Sequence, residues 1–286
     1  MNAASDRQYD ALGRAIVALA RLRGGPAPED LCMHKALLPP RWEGGKSVSA
    51  GKSAVERWLA AQLRADAPAR VLDVGCGFGS FLATLRQGWD GEAVGINASG
   101  FPIDYGRRYW RARDPLRAPD LRTGLFGAAV PGAPFDAIAA IESLGYAEHL
   151  DETLAWLRDL LRPRGRLWIL DDWCAAGLPQ DDPDVDALCR RWRRPGLYPC
   201  EALLSAAATQ GLVLVRRQSL TALVPATRRP PGAPRRRLLH ALTGLGGRTA
   251  AGQVAAAFLG GWHLDALYAR GCARYELLVL ERPPVG

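Results

Sequence analysis

The feature of this chain that most constrains its fold is a glycine-rich loop that follows a short apolar run. Residues 70–74 (RVLDV) have the composition of a buried strand, and Gly-Cys-Gly-Phe-Gly follows at once at 75–79. The apolar segment 81–85 then predicts a helix. A strand that turns sharply into a helix needs small residues, and the free N–H groups at the helix start favour an anionic ligand. We therefore predict a ligand-binding strand–loop–helix unit.

Strands and helices alternate on the C-terminal side of this loop. The pattern predicts strands at 93–96, 121–126, 135–141 and 166–170, and helices at 103–113 and 150–161. Such alternation is typical of a parallel sheet with helices on both faces. Helical spacing also predicts N-terminal helices at 9–22 and 50–63. Two further strands, 212–215 and 275–280, are separated by more than fifty residues, which is too long for an unstructured loop and predicts a helical insertion.

Two nucleotide-binding interpretations of the glycine-rich segments fail on spacing. A dinucleotide fingerprint needs a third glycine at position 80, which is Ser80, and an acidic residue where Asn97 closes the second strand. The segment 44–53 (GGKSVSAGKS) looks like a phosphate-binding loop, but that motif needs a glycine where Lys46 stands, and a preceding buried strand. NAD and ATP are therefore disfavoured, and we interpret 44–53 as a hinge that leads into a helix.

The charged residues and the cysteines limit which classes of protein this chain can belong to. The formal net charge is +8, and all but three of the 37 basic residues are arginine. Arginine binds phosphate and carboxylate bidentately, so an anionic substrate, nucleic acid or a membrane surface would fit; biased codon usage is the alternative. The six cysteines lack zinc-ligand spacing, which predicts reduced thiols, no metal site and a cytoplasmic protein. No signal peptide or apolar run of membrane-spanning length is recognisable.

The acidic residue before the glycines completes the pattern Asp-x-Gly-x-Gly-x-Gly at 73–79. This pattern, with the strands from about 69 to 170, resembles motif I and the core of the class I S-adenosylmethionine-dependent methyltransferases. The resemblance implies a Rossmann-like, mostly parallel sheet of seven strands whose last strand is antiparallel, and S-adenosylmethionine as cofactor. It assigns cofactor contacts to the loop, the second strand and an N-terminal segment that folds over the cofactor in related enzymes: Asp73, Gly75, Cys76, Gly77, Asn97 and Trp42.

Residues 141–149 (IESLGYAEH) follow the fourth predicted strand, at the edge where open α/β sheets carry their chemistry. With Gly-Ile-Asn-Ala-Ser at 95–99, this segment resembles the small-molecule branch that includes sterol, squalene, geranyl diphosphate and tocopherol-type methyltransferases. The resemblance implies Glu142 as the first catalytic candidate, with Tyr146 and His149 after it. Two alternatives stay open, in which Glu142 only holds the cofactor loop and His149 only caps the next helix.

The expected function is methylation of a small, hydrophobic, isoprenoid or lipid-like acceptor, with carbon as the favoured atom. The alternatives are an O- or N-methyltransferase of a secondary metabolite, an RNA-binding or RNA-modifying protein, and a non-catalytic subunit. The Asn/Asp-Pro-Pro-Tyr box of nucleic-acid amino-methyltransferases is absent, so no nucleic-acid partner is expected. Asp171, Asp172 and Trp173 follow the fifth predicted strand, and two adjacent carboxylates that alternate sides do not form a metal site.

On this interpretation the chain divides into an N-terminal helical lid (1–66), an S-adenosylmethionine-binding core (67–220), a cap insertion (221–271) and a final core strand (272–286). The cap carries an arginine cluster between positions 228 and 237. This cluster could bind the phosphates of an acceptor, contact an anionic membrane surface, or be a solvated loop, and the last is favoured.

Overall fold

Seven strands form one sheet in the part of the chain that the computed structural model describes, residues 3–35, 37, 48–179, 181–224, 233–244 and 249–284. They are β1 (Arg70–Val74), β2 (Glu92–Asn97), β3 (Asp120–Thr123), β4 (Phe135–Ile141), β5 (Leu161–Cys174), β6 (Val213–Ser219) and β7 (Ala273–Glu281). Their order is β3-β2-β1-β4-β5-β7-β6, and β7 is antiparallel to both of its neighbours while β1 to β5 are parallel. The predicted Rossmann-like fold is confirmed.

The helices lie before, between and after these strands. They are α1 (Ala3–Arg21), α2 (Val48–Arg64), α3 (Ser80–Leu85), α4 (Gly100–Arg113), α5 (Leu150–Leu160), α6 (Pro183–Trp192), α7 (Cys200–Thr209), α8 (Ala233–Gly244) and α9 (Ala250–Ala269). The helices α6 and α7 were not predicted. A signal for α6 is present in the sequence, because Asp182 accepts hydrogen bonds from the first turn and proline occupies the next position, as helix starts prefer.

The strand β5 is longer than predicted, which corrects the placement of 171–173. These residues lie inside the strand, not after it. The parallel ladder with β4 ends at Leu170, but the antiparallel ladder with β7 continues to Cys174, because β7 reaches beyond the end of β4. Trp173 is buried in the core and is not a pocket residue. The extra length carries Asp171 and Asp172 to the active edge of the sheet.

The core has two halves, one on each face of the sheet. Side chains alternate along a strand, so Val71 belongs to one half and its neighbour Leu72 to the other. The helix α9 packs against α1, α6 and α8, and α1 also packs against α4, which encloses the space above the strand ends. The division into lid, core and cap stays a prediction. Among the described residues, no helix is both long and apolar enough to cross a membrane.

Candidate functional site

The glycine-rich loop takes a conformation that side chains would prevent. Gly75, Gly77 and Gly79 have φ angles of +84°, +54° and +79°, a region that favours glycine. A Cβ atom on Gly75 would lie 2.4 Å from the Cβ of Ser143 on the neighbouring strand end. The loop is tied to β2, because the N–H groups of Gly75 and Cys76 both donate to the carbonyl of Ile96, at 2.8 and 3.1 Å.

A cavity lies directly above this loop. Its wall brings together most of the cofactor and catalytic residues that the sequence predicted: Gly75, Cys76, Gly77, Asn97, Glu142 and Tyr146. Asn97 donates from Nδ2 to the carbonyl of Ser99 at 3.1 Å, which fixes its amide at the end of β2. The glycines leave the loop backbone open to the cavity, and Glu142 gives the wall a carboxylate. We call this space the cofactor cavity.

Asp73 lies beneath the loop and not in the wall of the cofactor cavity. Its carboxyl is buried, and Oδ2 has no hydrogen-bond partner among the described residues. Burial raises the pKa of Asp73 well above its usual range, and the nearby Glu56 adds to the effect. Its predicted contact with the cofactor stays a prediction. Trp42, the other predicted contact, falls outside the described residues.

Glu56 of α2 supports the cofactor cavity from below. Its carboxylate accepts a hydrogen bond from the Ser80 hydroxyl at 2.6 Å and lies 3.4 Å from Nε2 of His34. Cys32 adds a third buried ligand-type atom, and the ligand atoms of Cys32, His34 and Glu56 all lie within 4.8 Å of one another. Hydrogen bonding to Glu56 accounts for this cluster, which fastens the first residue of α3 to α2. Its parts are far apart in the sequence, and no local motif predicted it.

Glu142 occupies a strained position between two cavities. Its φ angle is +51°, unusual for a residue with a side chain, and its N–H donates to the carbonyl of Leu170 at 2.8 Å. Oε1 accepts hydrogen bonds from the backbone N–H of Lys35 and from the hydroxyl of Tyr275, each at 2.8 Å. Burial raises the pKa of Glu142 above its ordinary value, against the opposing effect of Lys35. The carboxyl is thus held in one orientation.

A second cavity adjoins the first and shares four wall residues with it: Tyr9, Met33, Glu142 and Tyr146. The new wall comes from α1, α6 and α9, and apolar surface predominates over polar surface in it. Leu12, Trp192 and Phe258 supply much of that apolar surface, while Asp172 and Arg194 add charges. We call this space, of about 200 Å³, the acceptor cavity.

The adjacent carboxylates of β5 point to different partners, as the alternation of a strand requires. Asp172 accepts from Lys35 Nζ at 2.5 Å and from the hydroxyl of Tyr268. Asp171 accepts from the N–H of Gly145 at 3.2 Å and lies 3.9 Å from the buried guanidinium of Arg194. Burial raises the pKa of Asp171 to about 6, although Arg194 opposes the shift.

The remaining catalytic candidates have different surroundings. Tyr146 is buried, shares a hydrogen bond with the hydroxyl of Tyr9, and lies under the guanidinium of Arg194, which is 5.5 Å from the ring centre. His149 is exposed at the N-cap position of α5, where its side chain makes no capping hydrogen bond, and it lines neither cavity. The sequence analysis did not identify Tyr9, Lys35 or Arg194.

A seven-stranded Rossmann-like sheet whose first strand ends in this glycine loop is the fold of the class I S-adenosylmethionine-dependent methyltransferases. The chain belongs to the methyltransferase domain family, whose model matches residues 50–223, more than half of the sequence. The predictions of the family, of a methyltransferase enzyme and of S-adenosylmethionine as cofactor are therefore confirmed.

Several known methyltransferases are similar to this chain. A sterol 24-C-methyltransferase of Neurospora crassa is 28% identical over 138 residues, which are 46% of this chain and 36% of that protein. An O-methyltransferase of Pyrenophora dematioidea is 30% identical over 150 residues, 51% of this chain and 52% of that protein. The chain thus spans about a third to a half of these relatives. Among solved structures, this chain is similar to a putative sarcosine dimethylglycine methyltransferase from Galdieria sulphuraria, with a TM-score of 0.72. The two align over 98% of each chain at 16% identity, so this similarity supports the fold alone.

Proposed function

We propose that this chain transfers a methyl group from S-adenosylmethionine to carbon in a small, hydrophobic, isoprenoid or lipid-like acceptor. The observation that carries the proposal is the position of Glu142, whose carboxylate lines both the cofactor cavity and the acceptor cavity. A group in that position faces both the cofactor and the acceptor. The sterol C-methyltransferase relative supports carbon as the methylated atom.

In this proposal the cofactor cavity holds S-adenosylmethionine, with Gly75, Cys76 and Gly77 against its methionine part and Asn97 facing the ribose. The cofactor supplies a methyl group made electrophilic by its positively charged sulfur. The open glycine backbone fits a ligand that approaches closely, and the carboxylate of Glu142 complements a positive charge in the cavity. The remaining steps depend on side chains of the chain itself.

Glu142 and two tyrosines provide what a carbon acceptor needs. An alkene carbon that gains a methyl group leaves a positive charge on its neighbouring carbon, and a proton must then leave the acceptor. The carboxylate of Glu142 and the rings of Tyr9 and Tyr146 stabilise such a cation. Glu142 then accepts the proton, and its raised pKa suits a base that works near neutral pH.

An oxygen acceptor is the second candidate function. The guanidinium of Arg194 is almost completely buried and lies in the wall of the acceptor cavity. A cation in that position would stabilise an acceptor oxygen that carries negative charge. The O-methyltransferase relative supports this alternative.

The test combines labelled S-adenosylmethionine with a panel of prenyl diphosphates, polyprenyl lipids and phenolic compounds, in wild type and Glu142→Gln. Glutamine can still accept from Lys35 and Tyr275, so the fold and the affinity for S-adenosylhomocysteine should persist while turnover falls by about 10²–10⁴-fold. Glu148→Gln, at an exposed position nearby, is the matched control and should retain turnover. Unchanged turnover in Glu142→Gln would rule out its role as the base, and methylation of phenolic oxygen alone would select the second candidate.

A further inference from the structure

The sequence Arg-Arg-Trp-Arg-Arg, at 190–194, ends α6 and faces two cavities at once. Trp192 and Arg194 line the acceptor cavity. Arg190, Arg191 and Arg193 line a third cavity, of about 320 Å³, that the catalytic site does not include. These residues face different cavities because the helix ends here: Arg193 takes a left-handed conformation with φ of +55°, which turns the chain. We call the third cavity the arginine cavity.

The arginine cavity combines three guanidinium groups with the start of a long helix. Gly252 and Gln253, in the first turn of α9, line it together with residues of α6. The 20-residue α9 directs the positive end of its dipole toward this space. The N–H groups of Gly252 and Gln253 themselves donate to the hydroxyl and the carbonyl of Thr249, so the arginines are the groups that would bind an anion here. None of the described residues that line the cavity is acidic. The combination has the chemistry of a phosphate-binding site.

Two of these arginines contact a neighbouring side chain. Arg190 pairs with Asp186 one turn earlier on α6. Arg191 contacts Nδ1 of His240 at 3.3 Å, and its pKa is lowered by burial and by the neighbouring Arg190. Because burial is the larger of these two causes, a bound anion would stabilise the charged form of this partly buried guanidinium.

The arginine cavity and the acceptor cavity are neighbours. Gln8 of α1 lines both, and its Nε2 donates to the carbonyl of Arg191 at 2.8 Å. A molecule with an apolar body in the acceptor cavity could therefore place a charged end group against the arginines. Free inorganic phosphate would satisfy the arginines but would leave the adjoining apolar surface empty.

We propose that the acceptor is an organic phosphate ester whose apolar body occupies the acceptor cavity and whose phosphate binds Arg190, Arg191 and Arg193. This inference rests on the proposed function, which it narrows to one class of acceptor. Of the arginine cluster predicted at 228–237, Arg235 and Arg237 do not line the arginine cavity, and Arg228 and Arg229 lie outside the described residues.

The test measures binding by calorimetry in protein saturated with S-adenosylhomocysteine, with n-octyl phosphate, n-octanol and inorganic phosphate as probes. Octyl phosphate should bind at least about tenfold more tightly than either of the other two, because it alone fills both cavities. The double variant Arg191→Gln/Arg193→Gln should lose most of that advantage. The matched control Arg108→Gln/Arg111→Gln removes the same charge from exposed positions on α4 and should keep it.

Three results would overturn the proposal: no binding of octyl phosphate, equal binding of octyl phosphate and octanol, or an advantage that persists in Arg191→Gln/Arg193→Gln. Inorganic phosphate that binds as tightly as octyl phosphate would also overturn it, because the site would then bind free anions. These binding titrations involve no turnover, so their outcome is independent of the turnover assay that tests the proposed function. A separate titration of each variant with S-adenosylhomocysteine reports whether cofactor binding is retained. A thermal melt of each variant confirms that it is folded.

Discussion

Gly145 sets the position of the buried Arg194, and replacing it with alanine isolates that contact. A Cβ atom on Gly145 would lie 1.7 Å from Nη2 and 2.2 Å from Cζ of Arg194. These distances are far below the contact distance of non-bonded atoms, about 3.5–4.0 Å. The backbone at Gly145 is not left-handed, so alanine causes no strain of its own. The whole guanidinium would have to move.

The expected cost follows from what that movement disrupts. Arg194 donates from Nε to the carbonyl of Gly145 at 3.3 Å and lies beside the buried carboxylate of Asp171. Overpacking costs about 1–3 kcal/mol, and separating a buried charge from its partner costs about 3–5 kcal/mol. Because the arginine can shift into the acceptor cavity and keep part of its pairing, we expect Gly145→Ala to lower the free energy of unfolding by about 2–4 kcal/mol.

Urea unfolding of a double-mutant cycle measures this effect. In an Arg194→Ala background the clash is gone, so Gly145→Ala should cost less than about 0.5 kcal/mol there. Gly124→Ala is the matched control, since its Cβ would meet nothing closer than 3.8 Å and its φ angle is not positive. The reasoning is refuted if Gly145→Ala costs the same in both backgrounds, or as little as Gly124→Ala.

Two further predictions concern protons. Tyr275 donates a hydrogen bond to Glu142 and so lowers the pKa of that carboxyl. The substitution Tyr275→Phe should therefore move the acidic limb of the kcat–pH profile to higher pH. If that limb did not move, the role of Glu142 as the base would be contradicted. Asp171 has a pKa of about 6 in the folded chain, above its unfolded value, so its contribution to stability is present below about pH 4 and is lost as the pH rises through 6. The shift in the pKa of Asp171 corresponds to about 3 kcal/mol. Urea unfolding from pH 4 to 7 should therefore show a free energy of unfolding that depends less on pH in Asp171→Asn than in wild type. Equal slopes in the two proteins would contradict the raised pKa of Asp171.

Much of the fold could be predicted because its signals are local. The strand at 135–141 is continuous and apolar, and the structure confirms its predicted bounds. The loop at 75–79 needs glycine for its positive φ angles, and that requirement is written in the residues themselves. The C-terminal end of β5 could not be predicted in the same way, because β7, about a hundred residues later, determines how far the strand extends.

The sequence by itself determined the family, the cofactor and the position of Glu142 after the fourth strand, since each depends on a short motif. Only the tertiary structure decided what surrounds that carboxylate. Lys35 and Tyr275 reach Glu142 from 107 and 133 residues away, and Tyr9 reaches Tyr146 from 137 residues away. Contacts of this kind form when α1 and the segment that follows it pack against the strand ends and when β7 pairs with β5, and no local pattern encodes that packing. The acceptor cavity and the arginine cavity are products of the same packing.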